Sequence, residues 1–348
     1  MKKLFKNIIL SYFSESFFFD DHAIPLFDTK EKFKKISFLS RNQFGNLNKN
    51  KYFYIINRSP GAGLFSNLTF VLNFILVSRK KKFIPIVDMQ NFPTIYNEKN
   101  KIFNSYNAWD YYFKPLNKYS LKEVYKSKNV YFSDSNFISG MALDMTNLEL
   151  KKMFKLISFK KKFFNKANNF YNNKFNKNDK ILGVHFRGST YKVARGHAFP
   201  PTVDIMIKNI NLLMEKFNYN KLFIVTEEQS YLEILKEKYK NNCIFYNSYR
   251  MENVDSFKIY PRKNHRYKLG EETLIETILL SKCDGLTYIK SNVISAAICL
   301  SKKRQKYHEI FLGYNSRNKF IARWLWYLKK MLPKNFGGLK LLNKSKYN

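Results

Sequence analysis

The chain has 348 residues, with 62 Lys plus Arg against 26 Asp plus Glu, for a formal net charge of +36. Its 45% hydrophobic and 18% aromatic residues can fill a large core, which excludes simple disorder. Cys243, Cys283 and Cys299 contain no C-x-x-C pair and are odd in number, which argues against a zinc or redox site and against a secreted disulfide framework.

The charge speaks weakly about a partner. Of the basic residues, 11 are Arg and 51 are Lys, in a chain crowded with Asn, Ile, Phe and Tyr, as an AT-rich coding bias would give. Clusters such as Lys80–Lys82 and Lys160–Lys162 read either as a solvated face or as an attraction to nucleic acid, lipid headgroups or a phosphorylated substrate. Scarce Arg beside Gly or His is the better marker of a placed charge.

Met1–Asp20 begins basic and then apolar, but Ser11, Ser14 and Glu15 interrupt it and no small-residue cleavage site follows. No uncharged apolar run reaches the roughly 20 residues of a membrane helix. The expectation is a soluble or peripheral protein. Lys51–Asn57 reads as a buried strand, Ser59–Gly63 as a glycine turn, Leu64–Ser78 as a helix and Phe83–Val87 as a second strand. Strand, turn, helix and strand make a βαβ unit and predict a parallel sheet. Asn107–Tyr112 groups aromatics with Asp110, either as core or as a surface on which sugar rings stack. Leu148–Asn178 reads as a connecting helix and linker.

A second α/β pattern starts at Lys180, with strands at Ile181–Phe186, Lys221–Thr226, Cys243–Tyr246 and Gly285–Ile289. Helices are predicted over Thr202–Phe217, Gln229–Lys238, Glu271–Ser281 and Val293–Leu300. The fold class is α/β, with two Rossmann-like domains facing a cleft. The expected division is 1–165, then 166–312, then a C-terminal helix and tail over 313–348. In that last segment Phe320, Trp324, Tyr327, Leu328 and Met331 fall at helical spacing beside Lys319, Arg323 and Lys330. Such a helix either folds back on the first domain or lies against a membrane.

The sharpest group of chemical residues is Gly183-Val-His185-Phe-Arg187-Gly188-Ser189-Thr190. It closes a strand, where open α/β sheets bind ligands. Arg187 can fork onto a phosphate, and Gly188 and Ser189 let backbone N–H groups approach an anion. The bland alternative is a surface Arg and a satisfied His. Thr226-Glu227-Glu228 closes the next strand, Glu276 is the acid of an apolar helix, and Ser291-Asn292-Val293 opens another helix. That last segment is either a plain N-cap or a diphosphate site.

In order and spacing, His185-Phe-Arg187, Thr226-Glu227-Glu228, Leu274–Ser281, Ser291-Asn292-Val293 and the preceding Asn264-His265-Arg266-Tyr267 resemble the GT-B-fold fucosyltransferases. The resemblance is to the α1,6-fucosyltransferase and nodulation fucosyltransferase group, relatives of the protein O-fucosyltransferases. It implies an inverting, metal-independent glycosyltransferase that takes a GDP-sugar and needs no cofactor. Arg187 would hold the β-phosphate, with Gly188, Ser189 and Thr226 in the donor site. His185 and Glu276 would contact guanine or nearby backbone, and Ser291, Asn292 and Val293 would close around the diphosphate. Gly61, Gly63, Asn67 and Arg266 would line the cleft. Where the α1,6 enzymes place a Glu eight residues past the motif's Arg, this chain has Arg195, so His197 is the nearest titratable candidate for the base.

The chain contains no Asp-x-Asp, which weighs against a metal-dependent GT-A enzyme. The expected partners are the GDP-sugar, an oligosaccharide or lipid-linked glycan acceptor of a bacterial surface glycan, and an anionic membrane met peripherally from the cytoplasm, with no nucleic acid. The rival expectations are a basic nucleic-acid-binding α/β protein and a catalytically inactive GDP-sugar-binding relative.

Overall fold

The computed structural model describes residues 40–59, 61–133, 147–251 and 256–342; the N-terminal stretch Met1–Asp20 discussed above lies outside them. Contacts divide the chain into two compact units. Within the described residues, the first runs from 40 to 164 and takes in Tyr260–Leu274; the second holds Asn165–Ile259 and the chain from Ile275 onward.

In the first unit β1 (Phe53–Ile56), α1 (Leu64–Lys80), β2 (Ile84–Val87), α2 (Ala108–Tyr112), α3 (Leu121–Val124), β3 (Val130–Phe132) and α4 (Asn147–Phe154) follow in order, and α5 (Lys161–Lys174) leads on to the second. The sheet order is β2-β1-β3, with both pairings parallel. The helix expected after the glycine turn forms because Leu64, Leu68, Val71, Leu72 and Ile75 recur on one face and are all buried. Phe53, Ile55, Ile86, Val124, Val130 and Phe132 make a core cluster on the sheet. Trp109, Tyr111 and Tyr112 are also buried, so the aromatic group at 107–112 is core. Asp110 accepts the Ser105 hydroxyl at 2.8 Å and lines a cavity of about 350 Å³ with Gln90 and Asn117.

The second unit continues through β4 (Ile181–His185), α6 (Ser189–Val193), α7 (Val203–Phe217), β5 (Lys221–Val225), α8 (Gln229–Tyr239), β6 (Cys243–Phe245), α9 (His265–Leu280), β7 (Gly285–Tyr288), α10 (Asn292–Leu300), β8 (Lys306–Glu309) and α11 (Lys319–Met331). Contacts assign the first turns of α9 to the first unit, where Tyr112 donates its hydroxyl to the Tyr267 carbonyl at 2.9 Å. The five-stranded sheet is parallel throughout, in the order β6-β5-β4-β7-β8. Counted from β4, this is the 3-2-1-4-5 order of a doubly wound fold, and the winding direction reverses between β4 and β7. All five residues of β4 are buried, as a central strand covered on both faces requires. The last helix packs against α6 inside this same unit rather than folding back on the first. Buried Ala322 and Trp326 seat its inner face, and the Trp326 indole donates to the Pro200 carbonyl at 2.8 Å.

Candidate active site

Register places His185 level with Tyr288 on one side and with Val225 on the other. The continuations of three neighbouring parallel strands therefore leave the same edge of the sheet. Arg187-Gly188 follows β4, Thr226-Glu227-Glu228 follows β5, and Ser291 follows β7. This is the carboxyl edge at the reversal point, where doubly wound sheets hold ligands.

At that edge two donors meet one carboxylate. Arg187 Nη1 lies 2.6 Å from Glu227 Oε2, and the Gly188 N–H donates to Glu227 Oε1 at 3.2 Å. Arg187 Nη2 also donates to Thr190 Oγ1 at 3.3 Å, and the guanidinium carbon lies 4.4 Å from the centre of the Tyr191 ring. A guanidinium fork and a backbone N–H converging on one oxyanion is the donor set that a phosphate group takes. Gly188 is required here by close approach, because a Cβ at this position would overlap the Glu228 carboxylate. That carboxylate is buried and paired with Lys192 Nζ at 2.8 Å. Ser189 opens the short helix α6, and the Thr226 hydroxyl accepts from the Glu228 N–H at 3.2 Å.

Ser291 is the N-cap of α10, and its hydroxyl accepts from the Ile294 N–H at 3.3 Å. Asn292 and Val293 are the first residues of that helix, where N–H groups lack intrahelical acceptors and favour an anion. Cap and anion site are thus compatible readings of one helix end.

His185 is buried, with no hydrogen-bond partner at Nδ1. Burial, and then the positive charge of Arg187, lower its pKa to about 3. Between about 6.5 and that value the unfolded chain takes up a proton that the folded chain refuses. Stability therefore falls as pH drops through this window. A His185→Gln variant is expected to lose this part of the acid limb, so its Tm should change less than the wild type's between about pH 7 and pH 4. Equal pH slopes in the two proteins would show that His185 is not held neutral by the fold.

His197 is exposed on the loop after α6, edge-on to the Tyr191 ring at 5.2 Å. The two residues expected to be catalytic, Arg187 and His197, thus touch the same tyrosine. His197 Nδ1 lies 2.9 Å from the Arg195 carbonyl. A carbonyl cannot donate, so Nδ1 carries the proton of the neutral ring and Nε2 is its basic nitrogen.

Glu276 is held by a residue that the sequence reading passed over. Arg250 Nη2 donates to Glu276 Oε1 at 3.1 Å and to the Tyr246 carbonyl at 2.9 Å. Its Nη1 reaches the Ser248 carbonyl at 2.9 Å, and its Nε reaches the Thr226 carbonyl at 3.1 Å. Ser248 Oγ also donates to Glu276 Oε1, at 2.7 Å. Arg250 thereby ties α9 to the ends of β5 and β6. The marker that could have found it is the scarcity of Arg, but Arg250 sits between Tyr249 and Met251 rather than beside Gly or His.

Gly61, Gly63, Asn67 and Arg266 belong to the first unit. Gly61 has φ +76°, the left-handed region that favours glycine. The Asn67 side chain accepts from the Ala62 N–H at 2.8 Å and donates to the Ala62 carbonyl at 2.9 Å, which locks the turn ahead of α1. Gly63 precedes α1 as its N-cap, and the Arg266 guanidinium lies 5.0 Å from the Tyr260 ring centre. Among the described residues no group of three or more His, Cys, Asp or Glu side chains is placed to hold a metal ion.

No family model and no curated protein matches this chain. Among solved structures it is similar to fucosyltransferase NodZ from Bradyrhizobium, at 12% identity and TM-score 0.49, over 77% of this chain and 100% of that one. It is similar to an Arabidopsis thaliana FUT1 mutant in complex with GDP, at 11% identity and TM-score 0.45, over 75% of this chain and 70% of that one. A third similarity is to POFUT1 in complex with GDP, at 9% identity and TM-score 0.38, over 75% of this chain and 98–99% of that protein's structures.

Proposed function

We propose that the second unit binds the diphosphate of a nucleotide sugar at the reversal point of its sheet, and that the protein is a glycosyltransferase of the fucosyltransferase type. The observation that carries this is the convergence of Arg187 and the Gly188 N–H on the Glu227 carboxylate. A diphosphate oxygen entering there takes over the donors that Glu227 now occupies. Guanine as the base and fucose as the sugar rest on the motif resemblance spanning His185 to Val293, with Glu276 facing the base.

In the proposed reaction an acceptor hydroxyl attacks the anomeric carbon from the face opposite the diphosphate, forming a new C–O bond as the C–O bond to the β-phosphate breaks. The anomeric centre inverts. Negative charge grows on the departing diphosphate, where Arg187, the Gly188 N–H and the N-terminus of α10 stabilise it without needing a metal. His197 Nε2 takes the proton of the attacking hydroxyl. The acceptor is proposed to be an oligosaccharide or lipid-linked glycan of a bacterial cell surface, glycosylated at the inner face of the membrane.

Thermal unfolding tests the donor. GDP at about 100 times its dissociation constant adds roughly 2.7 kcal/mol, which should raise Tm by about 5 °C. UDP and CMP at the same concentration should do far less. A shift with a short oligonucleotide and none with GDP would overturn the reading in favour of a basic nucleic-acid-binding protein.

A further inference from the structure

The last helix carries a surface for which donor binding has no use. Its N-cap Asn318 accepts from the Phe320 and Ile321 N–H groups, and buried Ala322 and Trp326 fix which face turns inward. The opposite face holds Phe320, Ile321, Trp324, Leu328 and Met331, which on a helical wheel span an arc of about 100°. These are not grazing exposures: Phe320 is 65% and Met331 72% exposed. Nine of the 17 large exposed hydrophobics among the described residues lie between Tyr314 and Leu341. Scattered apolar side chains need no explanation, whereas a contiguous patch of this kind marks an interface.

Charge selects the occupant. After Glu309 the remaining 39 residues contain no acid and nine basic residues. Arg317, Lys319, Lys330, Lys334 and Lys340 among them are exposed around the apolar face. A second copy would bring two such rims together, each on a chain of formal charge +36, and would be repelled. Apolar and aromatic side chains flanked by cations, with Trp at their centre, match a bilayer surface with anionic headgroups.

We infer that α11, with the chain that follows it, is a membrane-docking element that inserts Phe320, Trp324, Leu328 and Met331 among the acyl chains of an anionic bilayer. The inference stands independently of the glycosyltransferase reading. No helix among the described residues is long and apolar enough to cross a membrane, so the contact proposed is interfacial. Because α11 packs on α6, which begins directly after Gly188, docking holds the candidate donor site at a fixed distance from the membrane surface.

The test is co-sedimentation of the full chain with vesicles of phosphatidylglycerol and phosphatidylcholine, mixed or pure. The wild type should bind the anionic mixture and release from pure phosphatidylcholine. Its tryptophan emission should shift to the blue on binding. The triple variant Phe320→Ser, Leu328→Ser, Met331→Ser should lose roughly a hundredfold in partitioning, with an unchanged far-UV spectrum. Met331→Ser alone, at the most exposed position of the helix, should lose several-fold and covers the case in which the triple variant misfolds. Equal binding by wild type and Met331→Ser would mean that charge alone holds the protein, and would overturn insertion. So would failure of the wild type to bind, or a concentration-dependent dimer in light scattering that Met331→Ser dissolves.

Discussion

Arg187→Ala is expected to weaken GDP binding about 30- to 140-fold, a loss of about 2–3 kcal/mol. The lower end of the range for truncating a charged hydrogen-bonded partner applies, because the Arg187 side chain is 26% exposed and solvent screens part of its charge. The unliganded protein should melt near the wild-type temperature, since the groups lost are one half-exposed ion pair and a stacking contact on Tyr191. Glu227 gives the matching test with the opposite sign. Its carboxylate sits on the Arg187 guanidinium and the Gly188 N–H, so an incoming phosphate must displace it. Glu227→Gln keeps the shape and removes the competing charge, and should tighten GDP binding about fivefold. Titration calorimetry of both variants decides the matter. Unchanged affinity in Arg187→Ala would remove the phosphate site from the end of β4. Weaker binding in Glu227→Gln would mean that Glu227 orients the arginine rather than competing for it.

The parts of this site legible in the sequence are those where a strand's apolar run ends in a charged or glycine residue. Ile181–His185 could be read because five buried residues in a row leave a plain signal, and the residues after it then fall at the sheet edge. β8 could not be read. Lys306–Glu309 is a polar edge strand whose first two residues are exposed, so neither alternation nor an apolar run marks it. β3 has three residues, too few to show a period, and is held between Asn129 and Ser133 by pairing with β1. The start of α9 was set six residues too late by sequence, because His265-Arg266-Tyr267-Lys268 looks polar. In the fold His265 is fully buried, and Arg262 donates to its Nδ1 at 3.1 Å. Composition misleads at such points because what buries a polar residue is a partner distant in sequence.

Arg250 is the extreme case of that rule, and its loss should be the most costly single change in the second unit. The Arg250 side chain is 3% exposed and that of Glu276 10%, so truncating the arginine leaves a carboxylate buried without its ion partner. It also strips a donor from each of the Thr226, Tyr246 and Ser248 carbonyls. Breaking a buried pair from one side costs about 3–5 kcal/mol, so Arg250→Ala should lower Tm by roughly 10 °C. Arg250→Lys should recover only part of this, because a single ammonium cannot fork across carbonyls and a carboxylate at once. Arg250→Met combined with Glu276→Leu removes both charges and should melt well above Arg250→Ala, although the bare carbonyls keep it below the wild type. A Tm for Arg250→Ala within about 2 °C of the wild type would show that the pair does not hold the sheet end together. The consequence reaches the donor site through one bond. Arg250 fixes the carbonyl of Thr226, and the next residue is Glu227, whose carboxylate sets the position of Arg187. Arg250→Lys should therefore weaken GDP binding at temperatures where the variant is fully folded, an effect that a purely stabilising contact would not produce.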